Sequence, residues 1–339
     1  MTSKPRTTSN HLLGLAISSS LALVASCTNV PTRNVASGLV QCVPLTKRAT
    51  APSVHFRGSI FTIVMENKSA SEIFGNPDAP FINALANQNA IAKGYVNDLI
   101  HPSEPNYLAM VAGNSFGVAD NADPAGNHIK QAGHIVDQLE LQGMSWKGYM
   151  ESMGEPCKLA SAYPYAAKHN PFVFFDNING WDGAQFASTP RCQAHVVDYR
   201  ELDQDLAVGT VPKYVFITPN MINDMHDGSI ADGDQWLARE VPKILSSPAF
   251  NDGGVLFLTW DEGGGSPPRD DPPMIVVGAN VKPGYVSTTP FNTDSYVKTV
   301  QKILGLEPLP CNSGGAGVAT MDELFTVPLD AALVTNPAP

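Results

Sequence analysis

The stretch Ile60-Phe61-Thr62-Ile63-Val64-Met65 is a continuous run of apolar residues, several of them β-branched, and Glu66 follows it directly. Such a run predicts a strand that is buried on both faces of a parallel sheet. Three further runs have the same character and predict strands at Tyr214–Thr218, Val255–Trp260 and Met274–Val277. These four runs are the main indication of the fold class.

Helix-compatible segments separate the predicted strands, at residues 81–92, 128–142, 236–246 and 295–304. The apolar residues 94–100 predict one more strand ahead of the second of these helices. Strands that alternate with helices indicate an α/β fold with a doubly wound, mostly parallel sheet and helices on both faces. Residues 154–199 are rich in Pro, Asn, Gly and aromatic side chains, which indicates a long irregular insertion that could wall a pocket.

The chain has 339 residues, and 43% of them are hydrophobic, which is enough for a large core. We therefore expect one folded domain over residues 56–339. The formal net charge of -11 argues against a nucleic-acid partner, because binding to a polyanion generally needs a basic surface. A small phosphorylated substrate is compatible with this charge if a cation lies between it and the protein.

The N-terminus has the features of an export signal, with basic residues, an apolar stretch over residues 12–25 and the sequence Val-Ala-Ser-Cys ending at Cys27. This stretch is too short and too often interrupted by serine for a membrane span. We expect residues 1–27 to be a signal peptide with a lipobox, so that a lipid on Cys27 anchors an exported protein to the cell envelope. Cleavage as a plain secretory peptide is the alternative. Residues 28–55 are predicted to be a tether.

The cysteines also fit an exported protein. Without Cys27 the chain keeps an even number, which allows two disulfides in an oxidising compartment and three ways of pairing them. We favour the pairs Cys157–Cys192 and Cys42–Cys311. The absence of any Cys-x-x-Cys pair from the sequence argues against a structural zinc site.

Polar side chains follow several of the predicted strands at the point where each strand ends. In an open α/β sheet the carboxyl ends of the strands face the ligand crevice, so these segments are expected to converge on one place. The segments are Glu66-Asn67, Ser103, Asp224-Met225-His226-Asp227 and Asp261-Glu262.

Ser103 lies in the stretch His101-Pro102-Ser103-Glu104-Pro105-Asn106-Tyr107, at the predicted start of a helix. A proline is well suited to the first helical turn, and the unpaired N–H groups and dipole of a helix start favour an anion such as phosphate. This is a position for a nucleophile. Asn106 could donate its amide to a phosphoryl oxygen, or it could only cap the helix. His101 could reach the same anion, or pack at the end of the strand.

The carboxylates of Glu66, Asp261 and Glu262 would repel one another unless a cation held them together. Together with Asn67 and Ser103 they offer oxygen ligands, which favour Mg, Ca or Mn. A histidine ligand would move the preference toward Zn or Fe. The alternative for Glu66-Asn67 is an ordinary turn, and for Asp261-Glu262 a solvated loop.

Among the histidines, His226 is the best candidate for a functional group, because acids flank it and can orient its ring. The alternative is an exposed loop histidine. Five others are interpreted as structural or surface groups: His55, His128, His134, His169 and His195. The glycines that follow Glu262 do not precede Gly-Lys-Ser/Thr, and no Gly-x-Ser-x-Gly occurs. A P-loop and a serine-esterase elbow are therefore not indicated.

Taken together, these segments resemble the phosphoesterase family of bacterial secreted acid phosphatases and phospholipases C, a branch of the alkaline phosphatase superfamily. In size and pattern the chain is most similar to the compact secreted acid phosphatases of mycobacterial type. The resemblance extends over residues 59–306. It is carried by Met65-Glu66-Asn67-Lys68-Ser69, by His101 to Ala109, by Pro219-Asn220 through Ser229, by Gly233-Asp234-Gln235-Trp236-Leu237 and by Thr259-Trp260-Asp261-Glu262.

The resemblance implies an alkaline-phosphatase-like fold and a metal-dependent acid phosphatase that hydrolyses phosphate monoesters through a phosphoserine. Many relatives carry a histidine shortly after Asp-Glu-Gly-Gly, where residues 266–273 have none, so a second metal site is in doubt. Lys68 stands where the relatives usually carry an arginine after Glu-Asn. The residues carried over are Glu66, Asn67, Asp261 and Glu262 as metal ligands, Ser103 as nucleophile and ligand, and His226 at the phosphoryl group.

Two rival functions remain. One is a phospholipase C or other phosphodiesterase, which the envelope location and the aromatic-rich insertion would suit. The other is a lipoprotein that binds a phosphorylated ligand without turnover. A phosphoinositide, a nucleotide or a sugar phosphate would each satisfy the expected core chemistry.

Overall fold

The computed structural model describes residues 55–97, 101–130, 133–264, 271–309, 315 and 317–329. The predicted signal peptide with Cys27, residues 28–54 of the predicted tether and the predicted Cys42–Cys311 bridge lie outside these residues. Within the described part of the chain, no helix has the length and apolar character that crossing a membrane requires.

Eight strands form one sheet in the order β4-β3-β5-β1-β6-β7-β2-β8. β7 runs antiparallel to its neighbours β6 and β2, and the remaining pairs are parallel. The predicted α/β sheet is therefore confirmed. The strands are β1 Ile60–Met65, β2 Ala90–Ala92, β3 Trp146–Met150, β4 Val196–Asp198, β5 Tyr214–Thr218, β6 Val255–Trp260, β7 Met274–Val277 and β8 Val286–Ser287.

Eleven α-helices lie within the described residues: α1 Ala70–Ile73, α2 Pro80–Gln88, α3 Ser103–Ala112, α4 Pro124–Asn127, α5 Ile135–Leu141, α6 Asp176–Asn179, α7 Pro190–His195, α8 Arg200–Val208, α9 Ile230–Leu245, α10 Pro248–Asn251 and α11 Thr293–Ile303. The same part of the chain has 3-10 helices at Ala167–His169, Pro171–Phe174 and Asp322–Leu324.

β1 occupies the middle of the sheet and is buried along its whole length, as its apolar run predicted. Ile60 and Val64 face one core, to which α3 and α11 contribute. Phe61 and Ile63 face a second core, to which α2 and α9 contribute. Because successive strand residues point to opposite faces, this division shows helices packed on both sides of the sheet.

Two predicted helices are present with other bounds, and a predicted strand is only partly covered by the described residues. The helix predicted over residues 81–92 ends at Gln88, because the next residue, Asn89, leaves the helical conformation and its amide donates to the Leu85 carbonyl at 2.9 Å; β2 then follows. The helix predicted over 128–142 begins only at Ile135, since His128 is held 2.8 Å from Asp176 instead. Of the strand predicted over residues 94–100, residues 94–97 are described, and among them Val96 forms an isolated bridge with Asn292.

The insertion over residues 154–199 is more ordered than predicted, since it contains short helices and ends in β4. The predicted Cys157–Cys192 disulfide is confirmed, with the two Cα atoms 5.3 Å apart. Both cysteines are buried. The bridge therefore closes the loop that contains the 3-10 helix Ala167–His169.

Candidate active site

The centre of the site is the edge of the sheet where β1, β5 and β6 end. The Glu66 N–H donates to the Asp224 carbonyl at 2.8 Å, and the Asp261 N–H donates to the Met65 carbonyl at 3.0 Å. These backbone bonds hold the segments after three parallel strands side by side. As predicted from topology, their carboxylates converge, and Glu66, Asp224, Asp261 and Glu262 are all buried.

Ser103 is the first residue of α3 and is buried beside this cluster. Its Oγ lies 3.1 Å from Glu66 Oε2 and 3.4 Å from Glu262 Oε1. The hydroxyl therefore sits at the positive end of a ten-residue helix and in contact with carboxylates from two strands. The structure brings together the residues that the sequence placed here.

Two further side chains from the same stretch hold Glu262. Asn106 Nδ2 donates to Glu262 Oε2 at 3.2 Å and to the Pro102 carbonyl at the same distance. His101 Nδ1 lies 2.9 Å from Glu262 Oε1. In this structure the Asn106 amide thus binds a carboxylate as well as the helix start.

His169 is a site residue that the sequence interpretation as a structural or surface group missed. It is 2% exposed, with Nε2 3.1 Å from Glu66 Oε1 and Nδ1 3.3 Å from Asp224 Oδ2. Its ring stacks on Tyr107 with centroids 5.2 Å apart. Burial, followed by the charges of Lys168 and His226, lowers the pKa of His169 well below its usual value. The neutral imidazole is the form that ligates metals.

His226 extends from the loop after β5, and the acids on either side of it orient it as predicted. Its Nδ1 lies 2.7 Å from Asp227 Oδ1, and its backbone N–H donates to Asp224 Oδ1 at 2.7 Å. Its Nε2 faces the Lys168 ammonium at 3.0 Å. One ligand atom each from Glu66, His169 and His226 all lie within 4.8 Å of one another, which is close enough to share a metal ion.

The electrostatics of the site favour a cation. Burial, together with neighbouring carboxylates, raises the pKa of Glu66 and of Asp261 well above the usual range, and burial does the same to the pKa of Asp224. Asn67 Oδ1 and Asp261 Oδ2 are buried and make no hydrogen bond to any described residue. Unsatisfied buried oxygens are costly, and a bound cation would satisfy them.

The profile of the Phosphoesterase family matches residues 61–307, which include every site residue described above. The chain belongs to the Phosphoesterase family. It is 36% identical over 250 residues to a phosphatidylinositol-3-phosphatase of Mycobacterium tuberculosis, an alignment that covers 73% of this chain and 77% of that protein. It is 31% identical over 210 residues to a probable acid phosphatase of Kluyveromyces lactis, covering 60% of this chain and 47% of that protein.

Among solved structures, a protein of the alkaline phosphatase superfamily from Vibrio parahaemolyticus superposes with a TM-score of 0.52 at 12% identity. The superposition covers 76% of this chain and 69% of that one. At this identity the likeness concerns the fold alone. It agrees with the α/β sheet expected of a member of the Phosphoesterase family.

Proposed function

We propose that this chain hydrolyses phosphate monoesters with Ser103 as the nucleophile and with a divalent metal ion bound among the carboxylates beside it. Membership of the Phosphoesterase family makes it a hydrolase of phosphoric esters. The observation that carries the proposal is the position of Ser103 Oγ, 3.1 Å from Glu66 at the start of α3. A hydroxyl placed there can reach a phosphoryl group that the helix start attracts.

The residues that would bind the metal are Glu66, Asn67, Ser103, Asp261 and Glu262, with His169 and His226 close to Glu66. Buried oxygens without a hydrogen-bond partner among the described residues support this assignment. A divalent ion supplies neutralisation of phosphoryl charge and activation of a coordinated hydroxyl. The oxygen ligands favour Mg, Ca or Mn, whereas participation of the histidines would favour Zn or Fe.

Each residue of the site then has its own role in the reaction. Ser103 gives its hydroxyl proton to Glu66 Oε2, 3.1 Å away, and Oγ attacks phosphorus in line. An O–P bond forms while the bond to the departing oxygen breaks, and that oxygen takes up a proton to leave as the alcohol. Water later hydrolyses the phosphoserine, which releases phosphate and restores the serine hydroxyl. Asp227 orients the His226 ring. From Nε2 the ring contacts the phosphoryl group or protonates the leaving oxygen once both of its nitrogens carry a proton. Asn106 fixes Glu262 and lies within reach of the same group.

The substrate class follows from the charge and the relatives. A net charge of -11 does not suit a nucleic-acid partner, so the substrate would be a small phosphorylated molecule. The name of the mycobacterial relative suggests a phosphoinositide as the first compound to test. We also propose that residues 56–339 form one phosphoesterase domain, exported and anchored by a lipid on Cys27, or secreted.

Turnover of a chromogenic phosphate monoester, such as p-nitrophenyl phosphate, tests this function. Ser103→Ala and chelation should each nearly abolish it, and the exposed control Ser246→Ala should leave it unchanged. Acid quenching during turnover should trap phosphate on a peptide that contains Ser103. Wild-type turnover by Ser103→Ala would exclude Ser103 as the nucleophile.

A further inference from the structure

Lys168 is a cation of the site that the mechanism above does not use. It lies in the 3-10 helix Ala167–His169, is partly buried, and places its Nζ 3.0 Å from His226 Nε2. Among the described residues no carboxylate oxygen lies within 4.0 Å of this ammonium, and its one hydrogen bond is to His226. Lys68, by contrast, donates to the backbone carbonyls of Asn67 and Met225.

Lys168 nevertheless lies beside the carboxylate cluster. The next residue, His169, is 3.1 Å from Glu66 through Nε2 and 3.3 Å from Asp224 through Nδ1, and the His226 ring that Lys168 contacts has its centroid 5.7 Å from that of His169. The ammonium therefore faces the cluster from the side of His226 while standing too far away to form an ion pair. A cation in this position has unused capacity to bind an anion that enters the site.

The hydrogen bonds of His226 also indicate that Lys168 can bind an anion. Its Nδ1 lies against the Asp227 carboxylate, so this nitrogen carries the proton that it donates. The lone pair is then on Nε2 and accepts one N–H of Lys168. An ammonium has three donors, so further N–H groups are left for a ligand.

We propose that Lys168 binds a non-bridging oxygen of the substrate phosphoryl group and thereby selects phosphate monoesters over diesters. The inference rests on the proposed phosphatase function and names the residue that sets its substrate class. At pH 7 a monoester carries about 1.5 to 2 negative charges, whereas a diester carries about one. A lysine acts as a point charge, so it stabilises the more highly charged ester more strongly.

The test compares Lys168→Met and Lys168→Arg with Lys93→Met, a control that removes the same charge from an exposed position. The substrates are p-nitrophenyl phosphate and bis-p-nitrophenyl phosphate, with metal at saturation. Loss of a charge-assisted hydrogen bond should lower kcat/KM for the monoester by about 10- to 100-fold. The diester should lose clearly less, Lys168→Arg should retain most activity, and Lys93→Met should match the wild type.

Binding of inorganic phosphate, measured by calorimetry on the metal-loaded protein, gives a readout that does not need turnover. The inference is supported if Lys168→Met binds inorganic phosphate more weakly than the wild type, by a factor similar to its loss in kcat/KM for the monoester. A wild type that hydrolyses neither ester would refute the proposed function. Weaker phosphate binding by Lys168→Met would still support the inference in that case. Equal losses for the two esters with unchanged phosphate affinity would overturn it, since Lys168 would then only support His226. If Lys168→Met melts early, Lys168→Arg and Lys168→Gln are compared in the same way.

Discussion

Removal of the Cys157–Cys192 disulfide is expected to destabilise the protein and to weaken its binding of metal and phosphate together. The bridge joins cysteines 35 residues apart, and the loop between them carries Lys168 and His169. The chain-entropy relation for a loop of that length gives a loss of about 4 kcal/mol in the free energy of unfolding. Since His169 contacts Glu66 from this loop, greater freedom of the loop should also lower ligand affinity.

The variant is Cys157→Ala with Cys192→Ala, which leaves no unpaired thiol at either position. Urea denaturation followed by circular dichroism measures the free energy of unfolding, and calorimetry measures Mn²⁺ affinity. Dithiothreitol should shift the wild type toward the behaviour of the double variant and should leave that variant unchanged. Equal unfolding midpoints and slopes for wild type and variant would refute the reasoning.

Three further predictions concern the metal site, the partly buried carboxylate of Asp205 and the loop of His226. Chelation should lower the melting temperature of the wild type, because a bound metal stabilises the folded state. In Asp261→Asn the melting temperatures with and without chelator should be equal. A drop on chelation as large as that of the wild type would contradict the assigned ligands. Burial raises the pKa of Asp205, but hydrogen-bond donors that include Lys147 outweigh burial and hold this pKa below its usual value. That stabilisation is present above the unfolded pKa of about 4 and is lost as the pH falls through the folded one. Asp205→Asn should therefore lower the melting temperature at pH 7, and the difference should narrow below about pH 4; a difference independent of pH contradicts this. A Cβ on Gly228 would clash with the carbonyl oxygen of Ile222, so Gly228→Ala should displace the loop that carries His226 and lower kcat/KM. Wild-type kinetics of this variant would argue against a role of the loop in catalysis.

Local composition was sufficient to predict the centre of the sheet. β1, β5, β6 and β7 are runs of buried apolar residues, and the structure gives each the predicted bounds. The convergence of Glu66 and Asp261 then followed from parallel topology alone. The helix predicted through residue 92 failed because the amide of Asn89 satisfies a carbonyl at the end of α2, a side-chain bond that apolar periodicity does not reveal.

His169 and Lys168 could not be predicted in the same way, because long-range contacts fix their segment. The Cys157–Cys192 bridge closes that segment, and Thr218 Oγ1 donates to the His169 carbonyl at 3.0 Å from the end of β5. Neither contact leaves a periodic pattern in the sequence. The available signal was weaker: the insertion was expected to wall a pocket, so a histidine within it was a candidate for the site.

The charges of the site also imply that metal and phosphate bind cooperatively. Glu66 and Asp261 are buried with neighbouring carboxylates and favour a cation, whereas the start of α3 and the Lys168 ammonium favour an anion. Ser103 lies at the boundary, since it contacts Glu66 and begins α3. A bound cation alone does not neutralise the positive charge of Lys168 and of the start of α3. A bound anion alone is repelled by the carboxylates.

Each ligand should therefore raise the affinity for the other by the same factor, as thermodynamic linkage requires. Opposite charges that share such a site typically couple by about 1–3 kcal/mol, or roughly 5- to 150-fold. Calorimetric titration of Mn²⁺ into the full chain, with and without saturating inorganic phosphate, measures this factor. Lys168→Met should reduce the phosphate affinity, and it should not weaken Mn²⁺ binding in the absence of phosphate, because the ammonium repels a cation. Identical Mn²⁺ affinities with and without phosphate would place the two ligands in separate sites, because charges in contact cannot bind independently.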